Sequence, residues 1–214
     1  ILAENNLYTV ESFKQFLGHL RDGGIFSVCW VDVPGLAGAS RLISLGVTAL
    51  EEMGIGDVNN NIMVVSHPAR RSWVIRNIFL KMSPFTQEEQ RAVLSVCEDL
   101  DFDPTHIPMH AKKNIGIEDI QDYEDFLRFF INYDNDREAI YSMHPLNIRP
   151  TTDDSPFFFY QNTFIQFIKS LRFKKVPSYI IYTSGGLVLL RVFLIGVTMV
   201  VLFYAVPALI SLWN

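Results

Sequence analysis

The sequence predicts an α/β domain with an antiparallel hairpin at one edge of its sheet, followed by a helix that crosses a membrane. Three observations lead there. Residues 4–28, "ENNLYTVESFKQFLGHLRDGGIFSV", read as a loop, a helix, a Gly-Gly turn and an apolar strand. That is one αβ unit of the kind found in the middle of a parallel sheet. Residues 62–66 and 72–80 are two apolar runs joined by the short "HPARR", a hairpin signature. From Val192 to Trp213 there are 22 residues without a formal charge, where about 20 suffice to span a bilayer core.

Each element follows from its own residues. Thr9 is placed to N-cap a helix reaching about Leu20, with Val10, Phe13, Phe16 or Leu17, and Leu20 on one face. Asp22-Gly23-Gly24 stops it, and "IFSVCWV" (25–31) follows as a strand apolar nearly throughout, which predicts a sheet covered on both faces. A helix from about Ala39 to Met53 keeps Leu42, Ile43, Gly46, Val47, Leu50 and Met53 at helical spacing. After the hairpin, "TQEE" (86–89) forms a capping box, Thr86 at N-cap and Glu89 at N3, opening a helix to about Leu100. "FDPTHIPMH" (102–110) reads as extended, and further helices fall near 118–131 and 136–143.

Composition narrows the function classes. Hydrophobic residues make up 49% and charged residues 19%, with a mean hydropathy of +0.19, and the apolar excess is concentrated at the C-terminal end. The net charge of −5 and the absence of a long basic run leave no electrostatic footprint for nucleic acid. Cys29 and Cys97 lie far apart in apolar segments and read as small buried hydrophobes of a reducing compartment. The chain opens on Ile1 with no signal-peptide pattern, which predicts processing or truncation.

The usual chemical motifs are absent or weak. "GGLVLLRVFLIG" (185–196) has glycines but follows no strand, so it is no phosphate loop. His106 and His110 have the i,i+4 spacing of a helical zinc pair, but Pro104 and Pro108 argue against a helix, and two loop histidines fit better. No G-x-S-x-G elbow is present. Asp153-Asp154, between Pro150 and Pro156, is placed either to hold an amine or cation or to cap the aromatic helix expected after it; the cap is favoured.

Taken together, "ENNLYTVESFKQFLGHLRDGGIFSVCW", "SPFT" (83–86), "IRPTTDDSPFFF" (148–159) and the trailing apolar segment resemble a family of bacterial membrane proteins. These carry a spermidine-synthase-like, polyamine aminopropyltransferase-related domain. The resemblance implies the C-terminal half of a Rossmann-like sheet of the S-adenosylmethionine-dependent methyltransferase type. It implies a partial domain over 1–150, an aromatic and basic juxtamembrane segment over 151–178 and a transmembrane helix over 179–214. The intact protein would use S-adenosylmethionine, or its decarboxylated form, to pass an aminopropyl or methyl group to an amine-like acceptor. The glycine-rich cofactor loop and acidic base of that family would lie before this chain, so no cofactor residue is assigned here. These 214 residues alone are then expected to be inactive. The other reading is an inert cytoplasmic sensor or cap domain of a multi-pass membrane protein.

Ligands of doubly wound sheets bind at the carboxyl ends of the strands. On that ground Glu4, Tyr8, Trp30 and Asp32 are the candidate substrate-binding residues. Tyr8 serves equally as a core aromatic, and Asp32 equally as a solvated loop residue. Lys169, Arg172, Lys174 and Lys175 precede the apolar segment, so the positive-inside rule puts the domain on the cytoplasmic side of the bacterial inner membrane, with the lipid bilayer as partner. Arg191 would snorkel, Tyr179, Tyr182 and Trp213 would sit in the headgroup belts, and Phe157–Phe159, Phe164, Phe167, Ile168 and Leu171 would form an interfacial helix.

Overall fold

The computed structural model describes residues 6–32, 37–68, 73–110, 116–133, 137–161, 185–205 and 207. In chain order it contains α1 (Val10–Gly18), β1 (Ile25–Asp32), α2 (Gly38–Glu52), β2 (Ile62–Pro68), β3 (Val74–Lys81), α3 (Gln87–Leu100), β4 (Asp103–His106), α4 (Tyr123–Asn132), α5 (Arg137–Met143) and α6 (Gly185–Val200). Short 3₁₀ turns lie at Val58–Asn61, Pro108–His110 and Ile117–Asp119.

The strands form one sheet in the order β1-β3-β2-β4, and every pairing in it is antiparallel. This corrects the parallel, Rossmann-like half-sheet expected from the sequence. The reason lies in where β3 goes. The short connection after β2 turns the chain back on itself, and β3 slides in between β1 and β2. Those two strands run the same way but never touch. The hairpin is therefore central, and the edges are β1 and β4.

Local signals hold where they were specific. Thr9 Oγ1 accepts the Ser12 N–H at 3.2 Å, and Thr86 and Glu89 make the reciprocal capping box. Gly54 closes α2 with φ +93, a backbone conformation that side chains disfavour. The start of α1 is also tied to a distant part of the chain, the Val10 N–H donating to the Thr151 carbonyl at 2.9 Å.

The two faces of the sheet are covered unequally. On one face α1, α2, α4 and α5 enclose the main core, with Phe13, Leu42, Leu50, Ile78, Leu80, Phe130 and Phe158 all fully buried. Twelve of the 15 residues of α2 are buried, so this helix sits inside the protein with neighbours on every side. Gly46 brings it against the sheet, because a Cβ there would lie 2.8 Å from Leu80 Cδ1. On the other face α3 is the one α-helix that packs among the described residues, over a small cluster of Met63, Val65, Phe85, Cys97 and Ile107. The expectation of a sheet covered on both faces thus fails at β1, where Ile25, Ser27, Cys29 and Val31 are exposed in alternation. Cys97 is buried as expected, but Cys29 is not.

The C-terminal expectations change most. Residues 157–161 form turns, not a helix. Among the described residues no helix starts just after Asp153-Asp154 for them to cap; the Asp153 backbone N–H donates to Glu11 Oε2 at 3.1 Å. Regular α6 geometry covers 16 residues, about 24 Å against a bilayer core of about 30 Å. A π-helical turn, Val201–Ala205, follows it, and Pro207 is again helical. Among the described residues no helix is long and apolar enough to cross a membrane. The transmembrane helix, the bilayer partner and the inner-membrane placement are corrected on that finding. The positions assigned to the interface at 164–182 and at Trp213, and the side chain of Arg191, lie outside the described residues.

Candidate functional site

The end of the sheet where β1 and β2 finish, and β3 and β4 begin, gathers a buried polar cluster. Its centre is Arg76 of β3, only 2% exposed. Arg76 Nε donates to Asp32 Oδ2 at 3.0 Å. Its two terminal nitrogens grip Glu124, Nη1 to Oε2 at 2.7 Å and Nη2 to Oε1 at 2.6 Å, the planar two-bond geometry in which guanidinium and carboxylate fit best. Nη1 also reaches Ser66 Oγ at 2.6 Å. Ser66 Oγ pairs with Thr105 Oγ1 at 2.6 Å, and Thr105 in turn donates to Glu124 Oε2 at 3.2 Å. The Tyr123 ring covers the guanidinium carbon at 5.2 Å. Four strands and the first turn of α4 thus converge on one cation.

The charges are not in balance. Burial pushes the Asp32 carboxyl up from its ordinary range, and Arg76 pulls it back only in part, because that guanidinium is shared with Glu124. Burial alone would lower Arg76, but Glu124 and Asp32 together hold it above its ordinary value. Asp103, at the start of β4, is likewise raised, first by burial and then by Glu124. Asp32 Oδ1 is buried and takes no hydrogen bond of good geometry among the described residues; a weak backbone hydrogen bond from Ala39, at the start of α2, lowers the carboxyl a little.

That helix start is itself unusual. The N-cap residue of α2 is Ala37, which offers no capping side chain. Distant residues supply the acceptors instead: Gln161 Oε1 takes the Ala37 N–H at 3.0 Å, and the Tyr123 hydroxyl takes the Ser40 N–H at 3.2 Å. Burial pushes the Tyr123 phenol far up, so it stays a neutral hydroxyl. One turn on, buried Arg41 donates to the carbonyls of Arg149, Phe158 and Tyr160 at 3.0, 2.6 and 2.8 Å. With carbonyls as its acceptors, burial lowers its guanidinium to about 10.

Of the residues expected from sequence, three are brought together. Trp30 and Asp32 point to the same face of β1, two residues apart. Tyr8 meets Trp30 edge-on at 5.9 Å between ring centres and packs on Phe158 at 4.7 Å. Glu4 lies outside the described residues. Trp30 is seated under Gly38, where any Cβ would run into the indole. Arg76, Glu124 and Ser66 were missed. The signal was present: an arginine inside the apolar run "VIRNIFL", at a position that alternation turns toward the core, needs a buried partner. His106 is buried at the end of β4, with Nε2 donating to the Asn59 carbonyl at 3.3 Å, and it is not paired with His110 on a helix. No group of metal-ligating side chains occurs among the described residues.

Compared with known proteins, the chain matches no family model, no curated protein and no solved structure. The resemblance to spermidine-synthase-like membrane proteins is overturned by this result together with the antiparallel sheet. The membrane-anchored transferase and membrane-protein cap readings that rested on it fall as well.

Proposed function

We propose that this domain is a small-ligand-binding module whose site is the strand end at Asp32, with Trp30 and Tyr8 as its aromatic wall. One observation carries the reading: a buried carboxylate oxygen, Asp32 Oδ1, with no hydrogen bond of good geometry among the described residues, the Ala39 amide being only a weak donor to the carboxyl. Leaving such an atom unpaired costs a fold about 1–3 kcal/mol, and a ligand that donates to it recovers that loss. Two carboxylates, Asp32 and Glu124, share the single Arg76, so a donor carrying positive charge is favoured over a neutral one. The Trp30 and Tyr8 rings add a polarisable surface for a flat or cationic group.

The test is a pair of matched probes, ethylguanidinium and its neutral counterpart N-ethylurea, titrated while amide and indole resonances are followed by NMR. Ethylguanidinium should shift the Trp30 indole and the Asp32 and Ala39 amides, and N-ethylurea should do so more weakly. Asp32→Asn, which keeps the oxygen but removes the charge, should erase the preference. If neither probe moves those resonances, the reading is wrong.

A further inference from the structure

The two edges of the sheet are treated differently. The β4 edge is only four residues long, contains Pro104, and meets β2 with a register shift between Val64 and Ser66. Short length, proline and irregular register are the means by which proteins keep an edge from pairing with another chain. The β1 edge has none of them. It runs eight residues without a break in register, from Ile25 opposite Lys81 to Asp32 opposite Val74, and no strand pairs on its outer side among the described residues. No lysine, arginine or proline interrupts it, and its exposed row is Ile25, Ser27, Cys29 and Val31.

The order of residues in β1 says what fits there. By class, "IFSVCWV" reads the same in both directions: β-branched, aromatic, small, Val28, small, aromatic, β-branched. An antiparallel strand related to β1 by a two-fold axis at Val28 would place Val28 on its own copy, Ser27 against Cys29, Phe26 against Trp30 and Ile25 against Val31. Every pair matches in size and polarity, and no charge faces an apolar group. Shifting the axis to Cys29 would set Phe26 against Asp32, which loses the match. Ile25 and Val31, 43% and 46% exposed, would cover each other.

We propose that the β1 edge pairs with β1 of a second copy of this chain, antiparallel and centred on Val28, joining two four-stranded sheets into one. Such an interface is isologous, as two-fold dimers require. One strand pair buries less than the roughly 800 Å² per partner of a standard stable interface, so the association is reversible and rises with concentration.

Sedimentation velocity on the full chain over a wide concentration range tests it. A monomer–dimer equilibrium is expected. Ile25→Lys with Val31→Lys puts like charges opposite each other on exposed positions and should abolish the dimer, while the circular dichroism and melting curve stay those of the parent. Register is read by mild oxidation: Ser27→Cys should give a covalent dimer through Cys29 of the second copy, and Ser27→Cys with Cys29→Ser should not. A chain that stays monomeric throughout, a dimer that survives the lysine pair, or parent chains that cross-link through Cys29 alone would each overturn the proposal.

Discussion

His106 should make the fold acid-labile by a calculable amount. Burial holds its imidazole at about 4 in the folded protein, with Arg128 adding to the effect and the Asn59 carbonyl opposing it, against an ordinary value of 6.5. The unfolded chain therefore binds a proton between those two values and the folded chain does not. Stability is complete above about pH 6.5 and falls as the pH drops toward 4. The loss is roughly 3 kcal/mol, taking about 1.4 kcal/mol per tenfold change in proton affinity. That is a large part of the 5–15 kcal/mol typical of a domain. The geometry explains the sign: Nε2 has an acceptor in Asn59, but Nδ1 is buried without a partner among the described residues, so a second proton finds no acceptor there. Urea unfolding at a series of pH values between 7.5 and 4 would measure it, comparing the parent with His106→Gln, which keeps a donor for Asn59 but does not titrate. His144, lowered by burial, and Glu89, lowered by Lys81, also favour acid loss but are common to both proteins. The difference between the two curves should grow by roughly 3 kcal/mol across the range. Parallel curves would refute the argument.

Other expectations follow from the same structure. Arg76→Met leaves buried Asp32 and half-buried Glu124 without their cation and should cost about 3–5 kcal/mol in urea unfolding; adding Asp32→Asn should recover part of it. Asp101 ends α3 with φ +56, so Asp101→Gly should stabilise by up to about 1 kcal/mol and raise the melting temperature by about 2–4 °C. Thr86→Ala removes the capping box and should cost about 1 kcal/mol by the same assay. Gly38→Ala drives a methyl into the Trp30 indole and should cost about 1–3 kcal/mol, with a shift in tryptophan emission.

What was legible in the sequence is what is local. Thr9, Thr86 and Glu89 announce helix starts because a cap acts within four residues. The spacing in α1 and α2 shows which side is buried because the helix repeat is fixed. Sheet order is another matter. Nothing in "IMVVS" or "SWVIRNIFL" says that the second strand inserts beside β1, since strand order depends on contacts distant in sequence, such as that of α2 at Gly46 with Leu80. The site was half legible. Asp32 and Trp30 stand out at a strand end, but Glu124 lies on a helix whose acidic run reads as a solvated face, and only the fold brings it to Arg76. The trailing apolar segment misled through composition, because hydropathy counts residues and does not register that regular α geometry gives way to a π turn at Val201.

The start of α2 has a consequence for how the chain folds. The acceptors for its first amides come from Tyr123 and Gln161, 83 and 124 residues downstream, and Arg41 closes onto carbonyls 108 to 119 residues away. The innermost helix is therefore among the last elements to be secured. Contacts this distant in sequence slow folding, because the intervening chain must close before they contribute. During synthesis, α2 would leave the ribosome able to pack on α1, β1 and β3, but with its first turn unfinished and the side that meets α4 and residues 149–160 uncovered until residue 161 had emerged. A chain cut short anywhere before that point should expose a hydrophobic helix to its surroundings and depend on chaperones or aggregate.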